Sequence, residues 1–483
     1  GLVGWEMCIR DRFINPRVNR RSDGYNGELE QRLRFIREIL DAMRASTDAE
    51  FIIGLRISAD ERDPEGLTED ESLAAVQLLQ GQLDYVHIVA GTSASLGGAV
   101  HIVPPMAVEA AYLAREAGTF KAQLSIPLFV TGRINQPQEA EAIIAKGQAD
   151  VCGMTRALIC DPQMPNKSDS GRAEDVRACI ACNQACIGHF HKGLPISCIQ
   201  HPETGRELLY GQPKPSARGK RILVVGGGPA GMKAAAVAAQ RGHQVTLYEA
   251  SAQLGGQIQL AQLLPRRSEF GGASTNLQRE MQLAGVEVVR NTRVDRALIE
   301  RENPDHVIIA TGAQPYWPNF ERGGDLQVVD AWQVLRDEVQ LGRSVVVADW
   351  RCDWIGPGIA ERLVRAGHQV QLAVNGTHCG ENLPLYVRDQ LAGELHKLAV
   401  PIIPYARLYG CDDSTVYLQH TASGEPMLLE NVDSLVLCQG HQSVDDLGQQ
   451  LKGLVPFQRI GDCLAPRTVE EAIHEGLKVA WAL

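Results

Sequence analysis

No apolar run in this 483-residue chain approaches the ~20 residues needed to span a bilayer, and no secretory signal opens it. Nor is there any long block of like charge; the formal net charge of −11 is spread along the chain. Nucleic acid and anionic membrane both demand clustered Lys and Arg, so neither is expected as a partner. A disulfide scaffold is missing too. Of twelve cysteines, four crowd into 179–198 and the rest are scattered, which fits a metal site in a reducing, cytoplasmic setting. What remains is ordinary for a soluble protein, 44% hydrophobic and 22% charged, and long enough for about two to four domains.

Short β-branched runs alternate with helical spacing through 28–160. Helices are expected near 28–45, 69–81, 105–118 and 136–147, and strands at 51–58, 84–91, 126–132 and 149–156. This alternation is that of parallel βα units. A Pro-, Gly- and Cys-rich stretch follows at 161–220, and a second α/β region opens at Arg221. That region echoes itself: 221–250 resembles 344–374, each reading strand, turn, helix and a G-H-Q-V entry into another strand. Two nucleotide-binding-type folds in tandem follow, the second inserted into the first, since a late I-G-D at 460–462 looks like a return.

Cys179, Cys182, Cys186 and Cys198 are spaced C-x2-C-x3-C-x11-C. Thiolates suit both iron–sulfur clusters and zinc. Three close ligands and one returning from further along favour a 4Fe–4S cluster, whereas structural zinc more often uses two paired knuckles. His189 and His191, between the third and fourth cysteines, read as loop residues.

The run Gly226-Gly-Gly228-Pro229-Ala230-Gly231 follows a strand and opens an alanine-rich helix. Gly226 permits the tight turn, Gly228 lets backbone approach a pyrophosphate, and Gly231 allows close helix–strand packing. The helix start supplies amide donors to phosphate. Glu249, about 20 residues on, is placed to accept from an adenosine ribose hydroxyl. Thr311 and Gly312, then Gly461 and Asp462, are the further turns expected around FAD or ADP.

Counting back from the shared G-H-Q-V, Arg351, Asp353 and Gly356 fall where the first copy has Gly226, Gly228 and Gly231, and Val374 stands for Glu249. Carboxylates at 349 and 353 would repel phosphate and block the backbone. The second fold is therefore expected to have lost NAD(P)H binding; the alternative is three inserted residues that shift the register and hide an unusual site.

These features together resemble the old-yellow-enzyme-related iron–sulfur flavoproteins, which include trimethylamine and dimethylamine dehydrogenases, N-methylproline and dimethylglycine demethylase-like enzymes, and 2,4-dienoyl-CoA reductase. The resemblance runs from Phe13 to Leu483, and N-P-R-V-N-R-R-S-D-G-Y at 15–25 looks like the family's loop after the fourth barrel strand. It implies that Arg56 lies beside the FMN pyrimidine edge, where a cation stabilises charge on the reduced ring. It also makes Gly132-Arg133 and Gly153-Met154-Thr155-Arg156 the turns that hold the FMN phosphate. His101, in the loop after the 84–91 strand, reads as a loop residue rather than a catalyst.

The expected fold is α/β: the C-terminal half of a TIM (β/α)8 barrel at 1–165, a 4Fe–4S loop segment at 166–218, and tandem Rossmann-like domains. The FAD/ADP-binding fold would occupy 219–340 and 431–483, with the degenerate NAD(P)-type fold at 341–430. By the resemblance, four barrel strands and the acid–base residues would precede Gly1, residues 1–12 would be a foreign start, and the chain alone would bind FMN poorly. The implied activity is an amine dehydrogenase or N-demethylase. A small N-methylated amine or amino acid would be oxidised at FMN, and electrons would leave singly through the cluster to an external acceptor such as an electron-transfer flavoprotein. A homo-oligomer is expected. The alternative reverses the flow, from NAD(P)H to an enoyl double bond.

Overall fold

In the computed structural model, which describes residues 12–483, the β-branched runs of the first part become four parallel strands. They are Gly54–Asp60, Tyr85–Ala90, Leu128–Val130 and Val151–Cys152, hydrogen-bonded in that order. Of the expected foreign lead-in, all but Arg12 lies outside the described residues. The chain divides into two compact units, one ending at Asn183 and the other running from Gln184 to Leu483.

The first unit's core is built from Ile57, Val86, Ile88, Leu128 and Val130 on the strands and Leu73, Val76 and Leu79 on the helix Glu69–Leu79. That helix starts at a reciprocal cap: Thr68 accepts from Glu71 N–H, and the Glu71 carboxylate accepts from Thr68 N–H. The first expected helix forms as Leu29–Arg32 and Arg34–Ser46, burying Ile36 and Leu40. The helix expected at 105–118 is confined to Ala114–Lys121. Ala111 is the reason: it takes a left-handed φ of 52° and donates its N–H to Arg133 O at 3.0 Å, which a helix through it would forbid.

The second unit holds the two related folds. The first is a five-stranded parallel sheet in the order Phe457–Arg459, His306–Ile309, Arg221–Val225, Gln244–Tyr248, Glu287–Val289. Its outermost strand comes from the end of the sequence, so the first fold is interrupted and resumed. The helix Pro229–Gln240 is buried along most of its length and packs against Phe270–Ala284 and Val469–Ala482. Close approach demands a glycine on the latter, because a Cβ at Gly476 would stand 2.5 Å from Ala230 O. Lys233, on the same helix, is buried between Glu203 at 2.9 Å and Glu280 at 3.4 Å. It ties the segment after Cys198 to the nucleotide fold.

The inserted fold is another five-stranded parallel sheet: Gln327–Asp330, Ser434–Cys438, Ser344–Asp349, Gln369–Val374, Ile402–Ile403. It therefore reaches beyond 341–430 at both ends. An antiparallel meander of Ala406–Cys411, Val416–His420 and Pro426–Leu429 covers one part of it.

Candidate functional site

The first dinucleotide turn has the geometry its glycines suggest. Gly226 adopts φ 109°, and a Cβ there would lie 2.3 Å from Ala310 O. A Cβ on Gly231 would lie 2.0 Å from Gly226 O, so helix and turn touch through backbone. Gly228 differs: its missing Cβ would meet no atom within 4 Å. It faces a cavity of about 970 Å³ that Pro229, Ala230, Glu249, Thr311, Gly312 and Asp462 also line. A diphosphate fits here, since Gly228 leaves room for it and the helix start aims its free amides at the same space.

Glu249 lines the same cavity and is also bonded within the turn. Its carboxylate accepts from Gly227 N–H at 2.8 Å and from Ser251 N–H at 2.7 Å, and so braces the turn. Its remaining lone pairs are available to a ribose hydroxyl. Thr311 Oγ1 donates to Val444 O at 2.6 Å, Gly312 takes φ 75°, and Gly461 takes φ 63° while donating its N–H to Glu475 at 2.7 Å. Asp462 accepts from Gln257 Nε2 at 2.8 Å. Gln257 belongs to a part of the site the sequence reading missed, the turn at Gly255 and Gly256, with φ of 116° and 53°. The signal was present as an L-G-G-Q run shortly after Glu249. Glu249→Ala is expected to weaken adenine-nucleotide binding about 10- to 100-fold, as charge-assisted hydrogen bonds worth roughly 1.5–3 kcal/mol are lost. Titration calorimetry with FAD and ADP checks this; unchanged affinity would remove Glu249 from the site.

In the first unit, Arg56 and His87 are register partners on adjacent strands. Arg56 Nε is buried without a hydrogen-bond partner among the described residues, and burial pushes the guanidinium pKa down. A half-buried cation of this kind fits an electron-rich flavin edge. His87 was not anticipated from the sequence. Burial, and then Arg56, push its imidazole down to about 4, and its Nε2 lies 2.6 Å from Thr131 Oγ1. The only signal was a polar residue in an otherwise apolar strand.

The two expected phosphate turns also sit by Thr131. Arg133, following Gly132, adopts φ 52° and is buried, its guanidinium donating to Val108 O. A Cβ on Gly153 would stand 2.1 Å from Thr131 Oγ1. Met154 and Thr155 lead into a short helix, while Arg156 Nη1 donates to Pro104 O at 2.8 Å and to Asn183 Oδ1 at 2.7 Å. Arg156's guanidinium is thus engaged within the protein, and a phosphate would meet the backbone of this turn. His101 lies in a loop, as expected, with Nδ1 buried and unpartnered and its pKa lowered by burial and then by Arg62.

Cys179 and Cys182 close the first unit and Cys186 and Cys198 open the second, so each unit carries two of the four. Among the described residues, no group of three or more His, Cys, Asp or Glu side chains is arranged to hold a metal ion. The donor chemistry suits iron–sulfur ligation. All four thiols are half-buried, and Ala181 N–H donates to Cys179 Sγ at 3.4 Å through backbone held left-handed at Ala181 and Asn183. His189 is occupied otherwise, between Pro195 O and Glu470, both at 2.8 Å, and His191 packs edge-on to Tyr386.

The second fold's turn is rebuilt. Arg221 pairs with Gln244 as Ser344 pairs with Gln369. By register, then, Asp349 rather than Arg351 stands in Gly226's place, and the turn is longer than the first. Counting back through the helix missed that insertion. Val374 does occupy Glu249's place, fully buried.

The chain matches the NADH:flavin oxidoreductase / NADH oxidase family over residues 8–175 and the pyridine nucleotide-disulphide oxidoreductases over residues 220–456. It is 32% identical to an N,N-dimethylglycine/sarcosine dehydrogenase of Chromohalobacter salexigens, over 99% of this chain and 76% of that protein. It is 36% identical to an NADH oxidase of Thermoanaerobacter brockii, over 100% of this chain and 74% of that protein. Among solved structures it is similar to a 2-naphthoyl-CoA reductase, with a TM-score of 0.89 and 29% identity over 98% of this chain and 72% of the other. With these matches along nearly its whole length, the chain belongs to the NADH:flavin oxidoreductase / NADH oxidase family, the old-yellow-enzyme-related flavoproteins.

Proposed function

We propose that the protein is an iron–sulfur flavoprotein that oxidises an N-methylated amine or amino acid and delivers electrons singly, through a 4Fe–4S cluster on Cys179, Cys182, Cys186 and Cys198, to an external acceptor such as an electron-transfer flavoprotein. FMN, when bound, supplies the two-electron acceptor for the substrate's N-methyl C–H, and hydrolysis of the oxidised amine releases formaldehyde. On this reading Arg56 holds positive charge at the flavin edge, and the turns at Gly132 and Gly153 seat the phosphate. The first dinucleotide fold takes FAD or ADP through Gly228 and Glu249. The working protein is a homo-oligomer, and it resides in the cytoplasm.

The observation that supports this direction of flow is the second fold's turn. The amides of Arg351, Cys352 and Ile355, which a dinucleotide phosphate would need, are already bonded to Asp349 and Asp353. The opposite reading, NAD(P)H-driven reduction, is favoured by the likeness to an NADH oxidase and a naphthoyl-CoA reductase. Anaerobic stopped-flow mixing of the flavin-loaded holoenzyme separates the two. Flavin bleaching by N-methylproline, dimethylglycine or a simple methylamine, with formaldehyde released, is the expected result. Fast bleaching by micromolar NADH or NADPH would overturn the reading.

A further inference from the structure

In the second fold, Asp349 is 2% exposed, and its Oδ1 accepts from the N–H groups of both Arg351 and Cys352 at 3.1 Å. Its Oδ2 is buried with no hydrogen-bond partner. Burial first, and the neighbouring Asp353 second, push its carboxyl well above the ordinary carboxylate range. Asp353 accepts from Ile355 N–H at 2.9 Å, at the start of the eleven-residue helix Ile355–Arg365, and pairs with Arg351 Nε at 3.0 Å. The surviving glycine serves this arrangement too. A Cβ on Gly356 would stand 2.5 Å from the Asp349 carboxyl carbon, so the glycine makes room for the chain's own acid.

We infer that Asp353, with Asp349 behind it, stands in for a dinucleotide's diphosphate and is the specificity-determining residue that closes the second fold to NAD(P)H. Arg351 Nε and the Ile355 amide converge on the Asp353 carboxylate, while the Arg351 and Cys352 amides converge on Asp349, so one cation and three N–H donors form an anion site around the two acids. The anion is built into the chain. The site is closed by a filled cradle, not by a collapsed one, and removing the filling should open it to a diphosphate.

This deepens the proposed function and rests on its reading that NAD(P)H is not the donor. The test uses the protein loaded with FAD, so that the first fold is already occupied, and inorganic pyrophosphate as probe. Asp353→Gly is the main variant, because it removes the carboxylate from a position just before the helix's N-cap, Trp354. Saturating pyrophosphate should raise the melting temperature of Asp353→Gly by about 2–4 °C and leave the wild type unmoved. Asp353→Gly/Arg351→Ala should lose most of that gain. Should Asp353→Gly fail to retain FAD, Asp353→Asn can keep the hydrogen bond from Ile355 N–H without the charge and should still respond more than wild type. An equal shift in wild type and variant, or none in any folded variant, would overturn the inference. The two readings fail separately: NADPH binding elsewhere would bleach the flavin, yet the pyrophosphate response would still appear only in the variants.

Discussion

Gly228→Ala is expected to leave the fold intact and abolish dinucleotide retention, while Gly231→Val damages both. Gly228 has φ −74° and ψ 177°, which alanine adopts freely, and its new Cβ would touch no protein atom within 4 Å. Its folding cost should stay within about 0.5 kcal/mol. The methyl would instead enter the cavity where a diphosphate must approach backbone, and a clash worth roughly 3 kcal/mol lowers affinity by at least about a hundredfold. At Gly231 the obstacle is backbone, with Gly226 O 2.0 Å from the new Cβ, so neither partner can swing away. Overpacking of that kind costs about 1–3 kcal/mol or more and should lower the melting temperature by several degrees. FAD content after desalting and a melting curve for each variant decide it. If Gly228→Ala kept its FAD, the cavity would not be the phosphate site.

Purified without oxygen, the holoenzyme should carry about four iron and four sulfide per chain, and Cys182→Ser should carry less than about one. The three remaining thiolates cannot complete a four-ligand cluster. Because ligation and local folding are coupled, the 161–220 stretch should also become the first site of proteolytic cleavage in this variant. Iron and sulfide assays with the visible spectrum test both halves. Stoichiometric zinc without visible absorbance in the wild type would overturn the cluster assignment and leave the four cysteines as a zinc site.

What the sequence made legible was whatever is set by local chemistry. Gly226, Gly228 and Gly231 could be read because each answers a separate steric demand of one short turn, and the four parallel strands of the first unit because β-branched runs announce themselves. Arg56 was singled out only through the family resemblance, since one arginine in a strand carries no pattern. His87 was missed for the related reason that its setting is made by neighbouring strands. Its low pKa comes from burial and from Arg56, which sequence separates by dozens of residues. The truncated helix before Ala114 turned on the left-handed backbone of Ala111 and a bond to Arg133, a non-local cause. Likewise, the sequence placed carboxylates in the second turn but located Asp349 through the helix, where two strands' register was the better ruler.

The interrupted first fold sets an order of events during synthesis. Its outer strand Phe457–Arg459 and its covering helix Val469–Ala482 are made after the whole of the inserted fold. On the ribosome, the inserted sheet has all five strands while the first fold still lacks an edge and a helix. Ile460 and Asp462, which line the nucleotide cavity, also belong to that late stretch. Adenine-nucleotide loading must therefore wait until residues 457–482 have left the exit tunnel, and a nascent chain stalled before them would hold a finished inserted fold beside an open, cofactor-free one.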